Sequence, residues 1–436
     1  MYRIRFKAAA LSLALVSTTA TIASRTHAQA PAREPGSELT VYLATMGQGD
    51  AVWEKFGHNA IWIRDGLTGS TIAYNYGIFD DAQVGFIPRL MKGRMLYSMG
   101  VGDAERELEA YSYFNRSVTL QRLDLTAAQR HSLREFLEWN WLPRNREYLY
   151  DYFRDNCSTR VRDALDRALG GALRDALSGV PTGTSYASHS LRLTASSPAT
   201  FTGLMLAFGL PTARPIDAWE ETFVPMELMR HLRSVQVLDQ EGRAVPLVAE
   251  ETAVFQALRR PPPDAMPDRF WIYLGAGLLS AVGLMLVAYA ARTRRLARAG
   301  VGLAIFFWGV ATGFFGAILA LLWLFTDHAA AYPNLNLLQV NPLGLLLAAA
   351  APMAVVGSRY SRVSRLAWPL AIALASMSTG GVVLHAIPTV DQLNGPLIAL
   401  LLPIHLAVVA ALYLVRVPVP SPAGDDAHWT AARAAA

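Results

Sequence analysis

The chain has 436 residues, 53% of them hydrophobic, a formal net charge of +5 and a single cysteine. One cysteine excludes an intrachain disulfide framework and a zinc-type Cys/His cluster, and neither a phosphate loop nor a Gly-x-Ser-x-Gly elbow is present. Much of the positive excess lies in short loops between apolar runs near the C-terminus, so it is no nucleic-acid footprint.

In chain order, residues 1–30 read as a secretory signal: Arg3, Arg5 and Lys7, an apolar run over 8–23, then Ala28-Gln29-Ala30 before the cut. No cysteine stands near that cut, so the protein is not expected to be a lipoprotein itself. Residues 31–38 read as a flexible lead into an extracytoplasmic domain over 39–260, long enough for a sizeable core.

That domain is predicted to begin with a strand over 39–45, ended by Gly47-Gln48-Gly49-Asp50. The run over 53–64 alternates in its second half, with His58, Ala60 and Trp62 on one face and Asn59, Ile61 and Ile63 on the other. A turn over 65–70 leads into a second alternating run over 71–78 that puts Thr71, Ala73, Asn75 and Gly77 on one side. Counting back from the turn sets Arg64 near Thr71, which makes His58 and Asn75 direct or diagonal cross-strand neighbours within hydrogen-bond reach. A histidine held by an amide is oriented and fixed in its tautomer, and Asp80, just beyond the hairpin, is the alternative partner. The plainer reading of His58 is a satisfied core histidine.

Further strands are predicted over 95–101 and 118–125 with a helix over 104–113 between them, and Thr126-Ala127-Ala128-Gln129 is a capping box opening a helix to about 141. Residues 148–153 read as a strand, and Asp155 and Asn156 as helix caps. From Cys157, the apolar positions Val161, Ala164, Leu165 and Ala168 mark one helix face, which Gly170-Gly171 ends. Cys157 therefore sits in the first turn of a helix, where the dipole and free N–H groups favour a thiolate and can bind an oxyanion. The alternative is a small apolar residue packing the helix onto a sheet. Residues 172–260 read as mainly helical. His131 and His231 are expected on helix surfaces, and His189 in a polar loop before Arg192, where an anionic head group is a conceivable ligand.

Residues 261–269 form a proline-stiffened linker, and 270–416 hold five apolar runs, at about 270–291, 301–325, 340–357, 366–387 and 395–415. Arg292, Arg294, Arg295 and Arg298 follow the first run, Arg359, Arg362 and Arg365 the third, and Arg416 the fifth. The other connections hold no Lys or Arg. The positive-inside rule then places the arginine-rich loops and the tail over 417–436 in the cytoplasm, and residues 31–269 outside the cytoplasmic membrane. An unpaired thiol outside the cytoplasm risks oxidation where serine would pack almost as well, which favours the chemical reading of Cys157.

The segments Phe56-Gly-His-Asn-Ala-Ile61, Tyr74-Asn-Tyr-Gly-Ile-Phe-Asp80, Asn145-Arg-x-Tyr148 and Asn156-Cys-Ser-Thr-Arg-Val-Arg-Asp163 resemble the extracytoplasmic domain of the lipoprotein N-acylation transferase B (Lnb) family. The resemblance covers about residues 40–230, and the membrane half matches through its five spans. It implies an α+β, circularly permuted papain-like (NlpC/P60-like) domain followed by an all-α polytopic membrane domain. It also implies movement of an acyl chain within a diacylglyceryl lipoprotein, from glycerol to the amino-terminal nitrogen, with membrane lipids and lipoproteins as substrates and no cofactor, no metal and no nucleic acid. On that reading Cys157 is the nucleophile and His58 its base, oriented by Asn75 or Asp80, with Asn156, Ser158 and Arg160 supporting them. His328, Asn334, Asn336 and His385 would form the outer rim of a lateral cleft for acyl chains, or else ordinary interfacial loop chemistry. The alternatives in function are a cell-wall peptide amidase or peptidase, a lipid esterase, and a membrane-bound interaction protein without catalysis.

Overall fold

The computed structural model describes residues 33–356, 362–390 and 392–416. The expected signal peptide, the 417–436 tail and Arg359 fall outside the described residues.

The domain is built on one seven-stranded sheet. Its strands include β1 (Leu39–Met46), β2 (His58–Asp65), β3 (Thr71–Phe79), β4 (Leu96–Asp103), β5 (Val118–Leu123) and β6 (Glu147–Leu149). The order across it is Val248–Phe255, β5, β1, β2, β3, β4, β6. The β2–β3 register is the one counted from the turn: Arg64 pairs with Thr71 and Ala60 with Asn75. Asp65 sets that turn by accepting from the N–H groups of Leu67 and Thr68.

Alternation gives the sheet two packed faces. On one, Ala44, Met46, Ala60, Trp62 and Ala73 pack beneath helix α2 (Ala104–Tyr113). On the other, Val41, Leu43, Ile61, Ile63, Tyr74 and Tyr76 form the main core with α3 (Ala127–Trp141) and α4 (Cys157–Ala168). A seven-residue helix, α1 (Phe86–Lys92), sits in the connection between β3 and β4.

Two predicted segments fold differently. The strand expected over 148–153 stops at Leu149, because the Asp151 carboxylate accepts from the N–H groups of Phe153 and Arg154 and turns the chain. The mainly helical reading of 172–260 misses Val248–Phe255, which forms the sheet's edge against β5. Its mostly exposed sequence, VAEETAVF, has no apolar alternation to reveal a strand. Backbone pairing and the Arg122–Glu250 and Arg233–Glu251 ion pairs hold it instead.

Among the described residues, five helices are long and apolar enough to cross a membrane: Phe270–Ala290, Arg295–Phe325, Leu335–Val355, Val363–His385 and Gly395–Arg416. The first packs on the fifth, and the second through fifth pack in succession. The segment from the end of the second span into the start of the third seats the outer domain. Asn334 and Asn336 are buried there, and their amides donate to the carbonyls of Met205, Leu206 and Ala207 at the end of helix Pro198–Ala207. Their side-chain oxygens accept from Gln392 and Asn394. The lipid-facing rim expected of these two asparagines is therefore not what the structure presents. They satisfy the orphan carbonyls of a helix end, which cannot be left bare when buried.

Candidate active site

The helix that carries the cysteine starts where it does because of Asn156. Its Oδ1 accepts from the N–H groups of Ser158 and Thr159, both at 2.9 Å, and its Nδ2 donates to the Tyr152 and Phe223 carbonyls at 3.0 and 2.9 Å. All the polar capacity of that side chain is thus spent on fixing the first turn of α4. The Ser158 N–H, expected to help bind an oxyanion, is shared between this cap and the Cys157 sulfur. The Cys157 N–H, in the first turn and so without an intrahelical acceptor, faces its own sulfur.

The helix meets the sheet at two points beside the cysteine. Ser158 Oγ lies 2.8 Å from Asn59 Oδ1, and Asn59 Nδ2 donates to Thr45 Oγ1 at 2.8 Å, which ties α4 to β2 one residue past His58. The backbone N–H of Asn59 in turn points at the Cys157 sulfur. The second contact is with β3, whose pairing with β4 shifts register between Asn75 and Ile78. Gly77 falls in that irregularity with φ +89°, and a Cβ there would stand 3.2 Å from the Cys157 Cβ. Only a residue without a side chain lets the cysteine in so close.

The imidazole is held from the other direction. His58 Nε2 lies 2.9 Å from Asn75 Oδ1, and Asn75 Nδ2 donates to Glu107 Oε2 at 3.1 Å. A carboxylate only accepts, so Glu107 fixes the amide with its NH2 outward and its oxygen toward the ring. His58 then carries its proton on Nε2, leaving Nδ1 with a lone pair; this tautomer is assigned from the network. The Tyr111 ring stacks on the imidazole with centroids 6.5 Å apart.

Glu107 and Tyr111 were not singled out from the sequence. The signal was there: with Ala104 and Leu108 they occupy positions i, i+3, i+4 and i+7 of α2, so Glu107 is a carboxylate on the inward face of that helix. Asp80 is elsewhere, exposed in a turn where its carboxylate accepts from the Ala82 N–H.

Burial decides the ionisation of the pair. It pushes the Cys157 thiol up to about 11, against the pull of the Asn59 and Ser158 N–H groups. It lowers His58 to about 4, with the Asn75 bond opposing. Burial also raises the carboxyl of Glu107. The helix N-terminus was expected to yield a resting thiolate, but desolvation outweighs half a charge shared with capped N–H groups. At neutral pH both groups rest uncharged.

Aromatic rings surround the thiol. Tyr97 and Tyr150 stack with centroids 4.1 Å apart, and the fields of both reach Cys157. Arg160 is occupied as a brace, bidentate to Asp155 at 2.6 and 2.8 Å and 3.7 Å above the Tyr148 ring. His189 lies in helix Tyr186–Leu193 rather than a loop, and His231 is buried rather than exposed. Both bond the buried Glu221, at 2.8 and 2.7 Å, which explains their burial. His328 Nε2 donates to the Leu90 carbonyl, 3.0 Å away. His385 is half-buried at the outer end of the fourth span, its ring beside Gly395.

Two family models match the chain. The one described as Lnb N-terminal periplasmic domain covers residues 30–190, and the one described as Lnb transmembrane domain covers residues 274–416. No curated protein and no solved structure matches it.

Proposed function

This chain belongs to the Lnb family, as a multi-pass inner-membrane protein with a periplasmic α/β domain, and on that premise we propose that it is a cysteine acyltransferase acting on lipid esters at the outer membrane face. The substrates are a membrane diacyl lipid or lipoprotein as donor and a lipoprotein amino-terminal nitrogen as acceptor. The domain is read as a permuted papain-like one, with the histidine strand ahead of the nucleophile helix. The arginine-rich loops and the C-terminus are read as cytoplasmic by the positive-inside rule.

The observation that carries the proposal is the convergence of three elements at one end of β2. The sulfur of α4 meets the Asn59 backbone, next in the chain to an imidazole whose Nε2 is engaged by Asn75. In the first step Cys157 Sγ attacks the ester carbonyl carbon as its proton passes to His58 Nδ1. The Cys157 N–H receives the negative oxygen. Collapse of this intermediate breaks the carbon–oxygen bond, and the departing glycerol oxygen takes the proton back from His58. In the second step a neutral amine attacks the thioester and gives its proton to His58, and Cys157 leaves with that proton restored. A resting neutral pair suits this exchange, since each half begins with a base ready to accept.

The test is mass spectrometry of lipoprotein amino-terminal peptides from cells with the wild-type chain, with Cys157→Ala, and with no copy. Loss of the N-acyl mass in both mutants is expected. Unchanged N-terminal lipidation in all three would reject the acceptor, and a hydrolysed lipid without N-acylation would make the enzyme an esterase.

A further inference from the structure

Helix α1 lies in the β3–β4 connection and has an apolar face that, among the described residues, nothing covers. Val84, Ile87 and Met91 are 95%, 58% and 67% exposed. Ile87 and Met91, at i and i+4, share one side of α1 with Arg89 opposite, and Val84 lies just before the Gly85 cap. An exposed stripe of this kind on a water-facing surface is a liability unless something apolar meets it.

The helix is fixed at the level where the membrane begins. The Asp327 N–H donates to the Lys92 carbonyl at 2.8 Å, His328 bonds the Leu90 carbonyl at 3.0 Å, and Arg94 pairs with Asp327. Asp327 is two residues beyond Phe325, the last residue of the second span. The fit is close: a Cβ on Gly93, which ends α1 with φ +75°, would come within 3.0 Å of the His328 ring. The apolar face is therefore bolted to the outer end of a membrane helix whose own terminal residues, Leu324 and Phe325, are 71% and 68% exposed.

We propose that α1 is an interfacial helix whose Ile87 and Met91, with Val84 just before it, enter the outer leaflet of the bilayer. Continuity with the span end names the occupant as lipid, and the placement of Arg89 and Lys92 off the apolar face suits a helix lying in the head-group plane. The segment also joins the two strands next to the thiol. Phe79, at the end of β3, has its ring 5.6 Å from that of Tyr97, which stacks on Tyr150 beside Cys157. A row of rings thus runs from the end of β3, where the connection carrying α1 begins, toward the sulfur, a path for an acyl ester leaving the leaflet. This last role rests on the acyl-transfer reading, whereas the insertion itself does not.

The test uses the full chain with Cys157→Ala, reconstituted in phosphatidylcholine nanodiscs, so that no acyl chemistry is needed. Single cysteines at Ile87→Cys, Met91→Cys and Arg89→Cys carry an environment-sensitive fluorophore, and shallow spin-labelled lipids quench it. Quenching at 87 and 91 should exceed that at 89 by about twofold or more, with blue-shifted emission, for a helix sunk about 5–10 Å into the interface. Weak quenching at all three positions overturns the insertion, and equal strong quenching overturns the assignment of the face. Hydrogen exchange of the unlabelled Cys157→Ala chain guards against misfolding of the labelled forms. The α1 amides should exchange more slowly in nanodiscs than after the lipid is replaced by a short-chain detergent, and an unchanged rate counts against insertion.

Discussion

Gly77→Ala tests the closeness of strand β3 and Cys157 most directly. The substitution meets two costs in the structure. Gly77 has φ +89°, a conformation that an L side chain adopts at a cost of about 1–2 kcal/mol. The added Cβ would also stand 3.2 Å from the Cys157 Cβ and 3.9 Å from its Cα, where carbon atoms prefer about 3.5–4.0 Å. The first turn of α4 must then retreat by some tenths of an ångström. It cannot do so alone, because Ser158 is tied to Asn59 and Asn156 to the Tyr152 and Phe223 carbonyls. For a domain of this size, about 1–2 kcal/mol lowers the melting temperature by about 2–8 °C. Misplacing a nucleophile by about 1 Å costs about 100-fold in rate, so a smaller retreat should cost about tenfold. The assays are thermal unfolding in detergent and N-acylation of a synthetic diacylglyceryl lipopeptide. Gly102→Ala is the control, on the adjoining strand β4 with nothing within 4 Å of its Cβ. If Gly77→Ala behaves like Gly102→Ala in both assays, the argument from close approach is wrong.

Four other outcomes follow from the same geometry. Glu107→Leu leaves the Asn75 amide without its acceptor, at about 1–3 kcal/mol, and frees it to rotate away from His58. Acyl transfer should fall about tenfold or more with that change, while Glu107→Gln, which keeps an accepting oxygen, should retain most of the activity. Burial holds the Cys157 thiol at about 11, so its inactivation by iodoacetamide should keep accelerating above pH 9, where an exposed cysteine has levelled off. The linked stability has two edges. The neutral thiol contributes below its unfolded value of about 8.5, and that contribution is lost as pH rises toward 11. Neutral His58 contributes above about 6.5, and its contribution is lost as pH falls toward 4, so chemical denaturation midpoints should drop on both sides. Asn336→Leu removes donors from the Met205 and Leu206 carbonyls and the acceptor of Asn394. Each group left bare costs about 1–3 kcal/mol, so limited proteolysis should cut the 261–269 linker faster in that variant, and an unchanged rate would contradict the seating described above.

Much of this protein was legible in one dimension because the signals are local. Twenty apolar residues need a bilayer, and a period of two around the 65–70 turn sets His58 near Asn75 before any coordinate is known. Asn156 before Cys157 likewise announces a helix start, since a cap acts on the N–H groups two and three residues ahead. What the sequence did not settle depends on residues far apart in the chain. Whether Cys157 rests as thiol or thiolate is decided by how much water the fold removes, and burial there outweighs the helix dipole. Glu107 becomes the anchor of Asn75 only because α2 crosses the sheet above β3. Asn334 and Asn336, which read as a polar rim on an outer loop, turn inward because a helix end from 130 residues earlier arrives with unsatisfied carbonyls. Periodicity and capping are properties of neighbours along the chain, whereas desolvation and the pairing of buried polar groups are properties of what the folded chain brings beside them.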